Sequence, residues 1–239
     1  MNTIKINRGA TKMIAHRGVS GLERENTNLA FVAAGNRSYF GVETDIHVTV
    51  DQNLIVIHDD TTTRVSGVEL VVEQQCFADL RAIKLFDLDG TNTREDLRMP
   101  SLEEYIGICK KYEKTCILEL KNPMCEDMVR QVMDRIEAMG YLQEVIFISF
   151  CFDNLVYVKN HRKEQRVQFL FKNLTEDLLR NMKAYGMDID VYYKSLTEDL
   201  VRDLHADGFE VNCWTVDDPQ VAETLVSWGV DYITTNILE

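Results

Sequence analysis

Short apolar runs alternate with longer stretches of helical periodicity along almost the whole chain. Eight runs predict strands: Met13–His16, Val42–Ile46, Cys116–Lys121, Val145–Ser149, Val167–Phe171, Asp188–Val191, Glu210–Trp214 and Val230–Thr234. Between them the spacing predicts helices over Thr27–Asn36, Ser101–Tyr112, Glu126–Met139, Phe152–Lys163, Thr175–Tyr185, Thr197–Ala206 and Pro219–Trp228. Ser101-Leu102-Glu103-Glu104 has the form of a capping box, and Leu102, Tyr105, Ile106 and Cys109 follow at helical spacing. Regular strand–helix alternation implies a parallel sheet. Eight units in 239 residues fit a (β/α)8 TIM barrel, an α/β fold.

One segment breaks the alternation. His47-Val48-Thr49-Val50 runs into Asp51-Gln52-Asn53 and returns as Leu54-Ile55-Val56-Ile57-His58, with no room for a helix, so a β-hairpin is predicted. A turn at 51–53 makes pairing partners sum to 103 or 104, which sets His58 opposite Asp45 or Ile46. Residues 60–99 lack clear periodicity and are rich in Thr, Asp and Arg. They are expected to form a small insertion over the barrel mouth of a single domain spanning 1–239. Thr175-Glu176-Asp177-Leu178, with Arg180, Ala184 and Gly186, recurs 22 residues later as Thr197-Glu198-Asp199-Leu200, with Arg202, Ala206 and Gly208. Repeated capping preference explains this echo as well as duplication does.

Composition changes this picture little: 45% apolar and 27% charged residues, 12 Gly and 3 Pro are ordinary for a globular chain. Charge changes it more. With 39 acidic and 26 basic side chains the net charge is −13, which argues against nucleic acid and against stable association with an anionic membrane. Any phosphate compound it handles must meet local positive charge or a metal. Six scattered cysteines without a CxxC pair predict reduced core thiols. With no secretory h-region and no apolar run of membrane length, a cytoplasmic protein is expected.

Functional groups of a parallel barrel gather at the C-terminal ends of its strands. Those ends carry His16-Arg17-Gly18, Glu43-Thr44-Asp45, Glu119-Leu120-Lys121 and Trp214. Glu43 and Asp45 are two apart and share a face, as do Glu119 and Lys121. Three converging carboxylates would repel in a packed interior, and a divalent cation relieves that. An all-oxygen site without cysteine suits Mg²⁺ or Ca²⁺ better than Zn²⁺. Rim salt bridges are the plain alternative. Among the five histidines, His161 and His205 sit near helix ends, where solvation or dipole compensation suffices, and His47 is ambiguous. His16 is followed by Gly18 in a turn expected to let backbone approach a ligand; His58 is followed by Asp59, which would set its tautomer. Asp87-Leu88-Asp89-Gly90 is not an EF-hand loop, because its Gly is fourth, not sixth; His58-Asp59 ends a β-branched run rather than lying on a helix, unlike helical metal phosphohydrolases.

Met13-Ile14-Ala15-His16-Arg17-Gly18 with Glu25-Asn26-Thr27 and Ala30-Phe31 resembles the opening of the glycerophosphodiester phosphodiesterase family. Gly41-Val42-Glu43-Thr44-Asp45, Val56-Ile57-His58-Asp59 with Arg64, Met99-Pro100-Ser101-Leu102-Glu103-Glu104, Leu118-Glu119-Leu120-Lys121, Trp214-Thr215-Val216 and Gly229-Val230-Asp231 through Thr235 continue the resemblance in order. It implies metal-dependent hydrolysis of a small-molecule glycerophosphodiester to glycerol 3-phosphate and an alcohol. By resemblance, Glu43, Asp45 and Glu119 bind the divalent metal and His16 and His58 form an acid/base pair. Arg17 and Lys121 hold the phosphate, and Trp214 walls the alcohol side. Asn28 stands where the family usually has Leu, and Thr234-Thr235-Asn236 replaces its usual closing Thr-Asp-aromatic-Pro; these departures are expected to touch substrate contacts more than catalysis. A related barrel phospholipase of sphingomyelinase D or phosphoinositide type is disfavoured by the lack of a basic patch or signal. A non-catalytic metal- or metabolite-binding barrel is disfavoured because every expected catalytic group is present.

Overall fold

In the computed structural model, which describes residues 2–239, the apolar alternation closes on itself as a barrel. The chain runs β1 (Lys12–Ala15), α1 (Asn28–Gly35), β2 (Gly41–Val48), β3 (Leu54–Val56), α2 (Thr63–Ser66), α3 (Phe77–Ala82), α4 (Leu102–Lys111) and β4 (Thr115–Leu120). It continues through α5 (Glu126–Ala138), β5 (Val145–Ser149), α6 (Phe152–His161), β6 (Arg166–Phe171), α7 (Glu176–Tyr185) and β7 (Asp188–Tyr192). The last units are α8 (Glu198–Ala206), β8 (Val211–Trp214), α9 (Pro219–Ser227) and β9 (Tyr232–Thr235). Eight parallel strands pair in the order β1-β9-β8-β7-β6-β5-β4-β2, and β1 pairs with β2 to close the ring. Strand β3 lies outside it, antiparallel to the extended end of β2.

Period-two alternation explains both layers of the core. Outward residues such as Val42, Cys116, Leu118, Phe147 and Val211 pack under the helices, while Ile14, Ile117, Ile146, Ile148, Leu170 and Tyr232 fill the inside. The helices start where caps start them. Ser101 and Glu104 form the reciprocal capping box, and Thr175 and Thr197 accept from the backbone N–H of Leu178 and Leu200, so the two echoed units have the same N-terminal chemistry.

The hairpin forms, but its register differs from expectation. Ile46 pairs with Val56, His47 with Ile55 and Val48 with Leu54, so partners sum to 102 rather than 103 or 104. The cause is a five-residue turn centred on Asp51: the Thr49 hydroxyl donates to Asp51, and Gln52 takes the positive φ of 58°. Pairing ends at Val56, and His58 follows beyond the ladder instead of sitting opposite Asp45 or Ile46. Residues 60–99 are less irregular than their composition suggests. Val65, Val72, Leu80, Leu85, Leu97 and Met99 form a small core on the outer face of β3 with Ile55 and Ile57.

Two further expectations need correction. Only Cys109, Cys116 and Cys213 are buried thiols; Cys76 and Cys125 are exposed immediately before α3 and α5. His205 is not merely solvated, because its Nε2 meets Asp231 at 2.9 Å. Packing alone requires glycine at position 18: at φ 76°, a Cβ there would lie 2.5 Å from the Cβ of Ala30 in α1. Among the described residues no helix is long and apolar enough to cross a membrane.

Candidate active site

The inner faces of β2 and β4 bring the acidic groups together. These strands are neighbours in the barrel although the hairpin, the insertion and α4 separate them in sequence, and their register sets Asp45 directly beside Glu119. Glu43 follows on the same face of β2. The three carboxylates offer oxygens within 4.8 Å of one another, each on a buried residue. Two cations approach them: Lys121 Nζ is 2.9 Å from Glu119 Oε1 and 3.5 Å from Asp45 Oδ1, and Arg17 Nε is 3.6 Å from Asp45 Oδ2. Arg17 adopts φ 53°, which turns its backbone N–H onto Glu43 Oε2 at 2.8 Å.

The charges do not balance. Burial and the neighbouring Asp45 push Glu43 well above the usual carboxylate range and push Glu119 up to about 8. Burial would raise Asp45 too, but Lys121 and Arg17 outweigh it and hold Asp45 well below that range. Asp45 Oδ1 and Glu119 Oε1 lack any well-formed hydrogen bond, since Lys121 pairs with them by charge and not in line. A hard divalent cation fits this set: it takes the unpartnered oxygens and removes the repulsion that keeps protons on the glutamates.

The two imidazoles border the same cleft of about 120 Å³, with Arg17, Glu43, Glu119 and Trp214. His16 presents Nε2 toward Glu43 Oε2 at 4.0 Å, and its Nδ1 meets Asn236 Oδ1 at 2.7 Å. Burial, then the adjacent Arg17, lowers His16 to about 4. His58 Nδ1 meets Asp59 Oδ1 at 2.6 Å, and Arg64 clamps Asp59 while pairing with Glu25, which in turn holds Arg17 at 2.9 Å. His58 is also lowered, by burial first. Trp214 is half-buried at the β8 end, with Phe150 edge-on at 5.7 Å and Tyr192 at 5.6 Å.

All eight residues singled out from sequence gather at the C-terminal ends of the strands; the aromatic wall extends beyond Trp214. His47 is buried outside the barrel, its Nδ1 3.1 Å from Glu73 and its Nε2 3.3 Å from the carbonyl of His58, which joins the hairpin to the insertion. Four residues at the site escaped that reading. Asn26 donates to Asp45 Oδ2 at 2.8 Å, and Glu25 and Arg64 buttress Arg17 and Asp59; all three lie in motifs that carried the family resemblance, which was the available signal. Asp190, fully inside β7 with Oδ1 unpartnered, had one: Asp188 and Asp190 alternate with Ile189 and Val191, which sets charged residues on one face of the strand. Asn236, one of the departures from the family pattern, bonds His16 directly. A surface hollow of about 810 Å³ beside Tyr141, His161 and Gln165 contributes nothing to the carboxylate cluster.

Residues 16–239 match the model of the glycerophosphoryl diester phosphodiesterase family. A glycerophosphodiester phosphodiesterase of Caldanaerobacter subterraneus subsp. tengcongensis is 26% identical over 229 residues, covering 95% of this chain and 94% of that protein. YqiK of Bacillus subtilis is 29% identical over 147 residues, 61% of this chain, so the match spans about 60% of that relative's length. Among solved structures, an Oleispira antarctica phosphodiesterase in complex with its product sn-glycerol-3-phosphate superposes with a TM-score of 0.83 at 22% identity, covering 94% of this chain and 92% of that one.

Proposed function

Because the chain belongs to the glycerophosphoryl diester phosphodiesterase family, we propose that it hydrolyses glycerophosphodiesters to glycerol 3-phosphate and an alcohol. The observation that carries this reading is the meeting, at one end of the barrel, of three converging carboxylates and two cations beside a cleft bordered by both imidazoles. Glu43, Asp45 and Glu119 would hold Mg²⁺ or Ca²⁺. When bound, that ion supplies a Lewis-acid charge for the phosphoryl oxygens.

The chain's own residues supply the rest. Arg17 and Lys121 bring positive charge to a diester anion that the net charge of −13 would otherwise repel. His16, neutral at physiological pH, takes a proton from the attacking water through Nε2 as the new P–O bond forms. His58, lowered by burial in the free protein, is favoured in its protonated form by the carboxylate of Asp59 and the bound diester anion, and delivers that proton to the departing alkoxide as its bond to phosphorus breaks. Trp214, Phe150 and Tyr192 give the departing alcohol an apolar wall.

The test is release of glycerol 3-phosphate from a panel of glycerophosphodiesters by the full chain, with Mg²⁺, Ca²⁺ or EDTA. Turnover that EDTA abolishes and either ion restores is expected; full activity in chelator overturns the metal assignment. His16→Ala and His58→Ala should each lower kcat by roughly 10² to 10⁴. On a diester with a nitrophenolate leaving group, His58→Ala should recover most of its rate while His16→Ala does not. Equal losses on both substrates would overturn the division of labour.

A further inference from the structure

The end of β9 grips His16 from behind. Asn236 Oδ1 accepts from the Ser20 hydroxyl at 2.6 Å and meets His16 Nδ1 at 2.7 Å. Its Nδ2 donates to Asp217 Oδ2 at 2.6 Å. Asp217 is itself fixed, since its Oδ1 accepts the Asn236 backbone N–H at 2.8 Å and the Thr235 hydroxyl at 3.0 Å. The backbone closes the frame, with His16 N–H on the Thr235 carbonyl at 2.8 Å and Gly21 N–H on that of Asn236 at 2.9 Å.

This arrangement leaves the amide no choice of orientation. An ionised Asp217 only accepts, so the NH₂ end of Asn236 must face it and the carbonyl end must face His16 and Ser20. That oxygen has two lone pairs; the hydroxyl takes one, and the other is aimed at Nδ1. Were His16 protonated only on Nε2, two lone pairs would oppose each other across 2.7 Å.

We infer that Asn236, oriented by Asp217, is a positioning residue that holds the proton of neutral His16 on Nδ1 and leaves Nε2 bare toward the cleft. The inference rests on the reading of His16 as an acid–base group. It assigns a role to two residues at the very end of the barrel, neither of which borders the cleft. Removing the oxygen would free the ring to change tautomer and angle, and partners that orient a functional histidine from behind are commonly worth 10- to 100-fold.

Three variants test it: Asn236→Ala, Asn236→Asp and the double exchange Asn236→Asp with Asp217→Asn. Asn236→Ala should lower kcat by about 10- to 100-fold with KM nearly unchanged. In ¹⁵N-histidine-labelled protein, the ring nitrogens of His16, assigned by the signals lost in His16→Ala, should shift from the Nδ1–H pattern toward Nε2–H. Asn236→Asp sets two carboxylates face to face and should lose a similar factor. The double exchange restores a carboxylate acceptor for Nδ1–H and an amide donor behind it, with the Asp217 Oδ1 contacts kept, and should regain most of the parental kcat. Parental kcat in Asn236→Ala, unchanged His16 nitrogen signals in that variant, or no recovery in the double exchange would each overturn the inference. Should Asn236→Ala fail to fold, the near-isosteric exchange pair still decides. Near-parental activity in His16→Ala would instead overturn the acid–base reading, a result distinct from the other three.

Discussion

The two ends of the barrel interior both hold charged groups and treat them in opposite ways. At the lower end, the Tyr232 hydroxyl accepts from Arg166 at 2.6 Å and from Lys12 at 3.1 Å and donates to Glu210 at 2.9 Å. Lys12 also lies over the Phe40 and Tyr232 rings, 5.1 and 4.6 Å from their centroids. Each charge there has a partner, and the Lys12, Arg166 and Glu210 side chains remain about 40% exposed. At the upper end, Glu43, Asp45, Glu119 and Asp190 are at most 6% exposed, and three of the four keep an oxygen without a partner. Such groups are costly to bury unpaired. The balanced end plugs the barrel; the unbalanced end is arranged for something that arrives from outside.

The sharpest way to break this comparison is Glu119→Gln. It should lower kcat/KM by at least about 10³-fold if the proposed metal site loses one of its three carboxylates. The same change should raise the Tm of the metal-free protein near neutral pH, because it replaces a buried carboxyl that must take up a proton on folding by a neutral amide. Activity assays and thermal melts in EDTA check both halves. A lower Tm would mean that the carboxylate is structural, like Glu210.

A smaller effect follows from pH. Glu119 holds its proton to about 8 when folded but would release it near the ordinary glutamate value when unfolded. Between these values the folded state binds more protons than the unfolded one, so stability falls as pH rises. Glu43, raised in the same way, adds to that slope. The lowered His16 and His58 oppose this slope below about pH 6.5, so the Tm of chelated protein should decline from about pH 6.5 to 8. Saturating Mg²⁺ or Ca²⁺ should flatten the decline. A flat profile in EDTA would show that the site's charges are already compensated.

The least effect is expected below. Arg166→Ala should cost no more than about 1 kcal/mol, because its ion pair with Glu210 is largely solvated, and Tyr232→Phe about as much. Urea unfolding and turnover check these, and kcat should stay parental in both. A tenfold loss of kcat from either would erase the distinction between the two ends.

Much of the fold was legible because it is written in periodicity. Strands such as Val145–Ser149 and helices such as Glu176–Tyr185 rest on local alternation and on caps such as Thr175. The main site was legible for a related reason: charged residues two apart on apolar strands announce an inward polar face. The hairpin register was not, because it is set within the turn, where the Thr49 hydroxyl meets Asp51 and Asn53 and Gln52 takes a positive φ, details that the apolar pattern does not record. Residues 60–99 hid their small core because its members are spaced irregularly and face the outer side of β3.

By itself, then, the sequence determined the strand–helix units, their parallel closure and the chemical types at the strand ends. Each of these depends on neighbours a few residues apart. Tertiary structure alone decided which groups touch. Asp45 stands beside Glu119 because β2 and β4 are adjacent across the hairpin and insertion, and Asn236 stands behind His16 because the last strand closes on the first. Asp190 lost its partners when β7 turned it inward. Hydrogen bonds and charge repulsion act over a few ångströms, so their outcome waits for the barrel to bring distant segments together, and no local pattern records that distance.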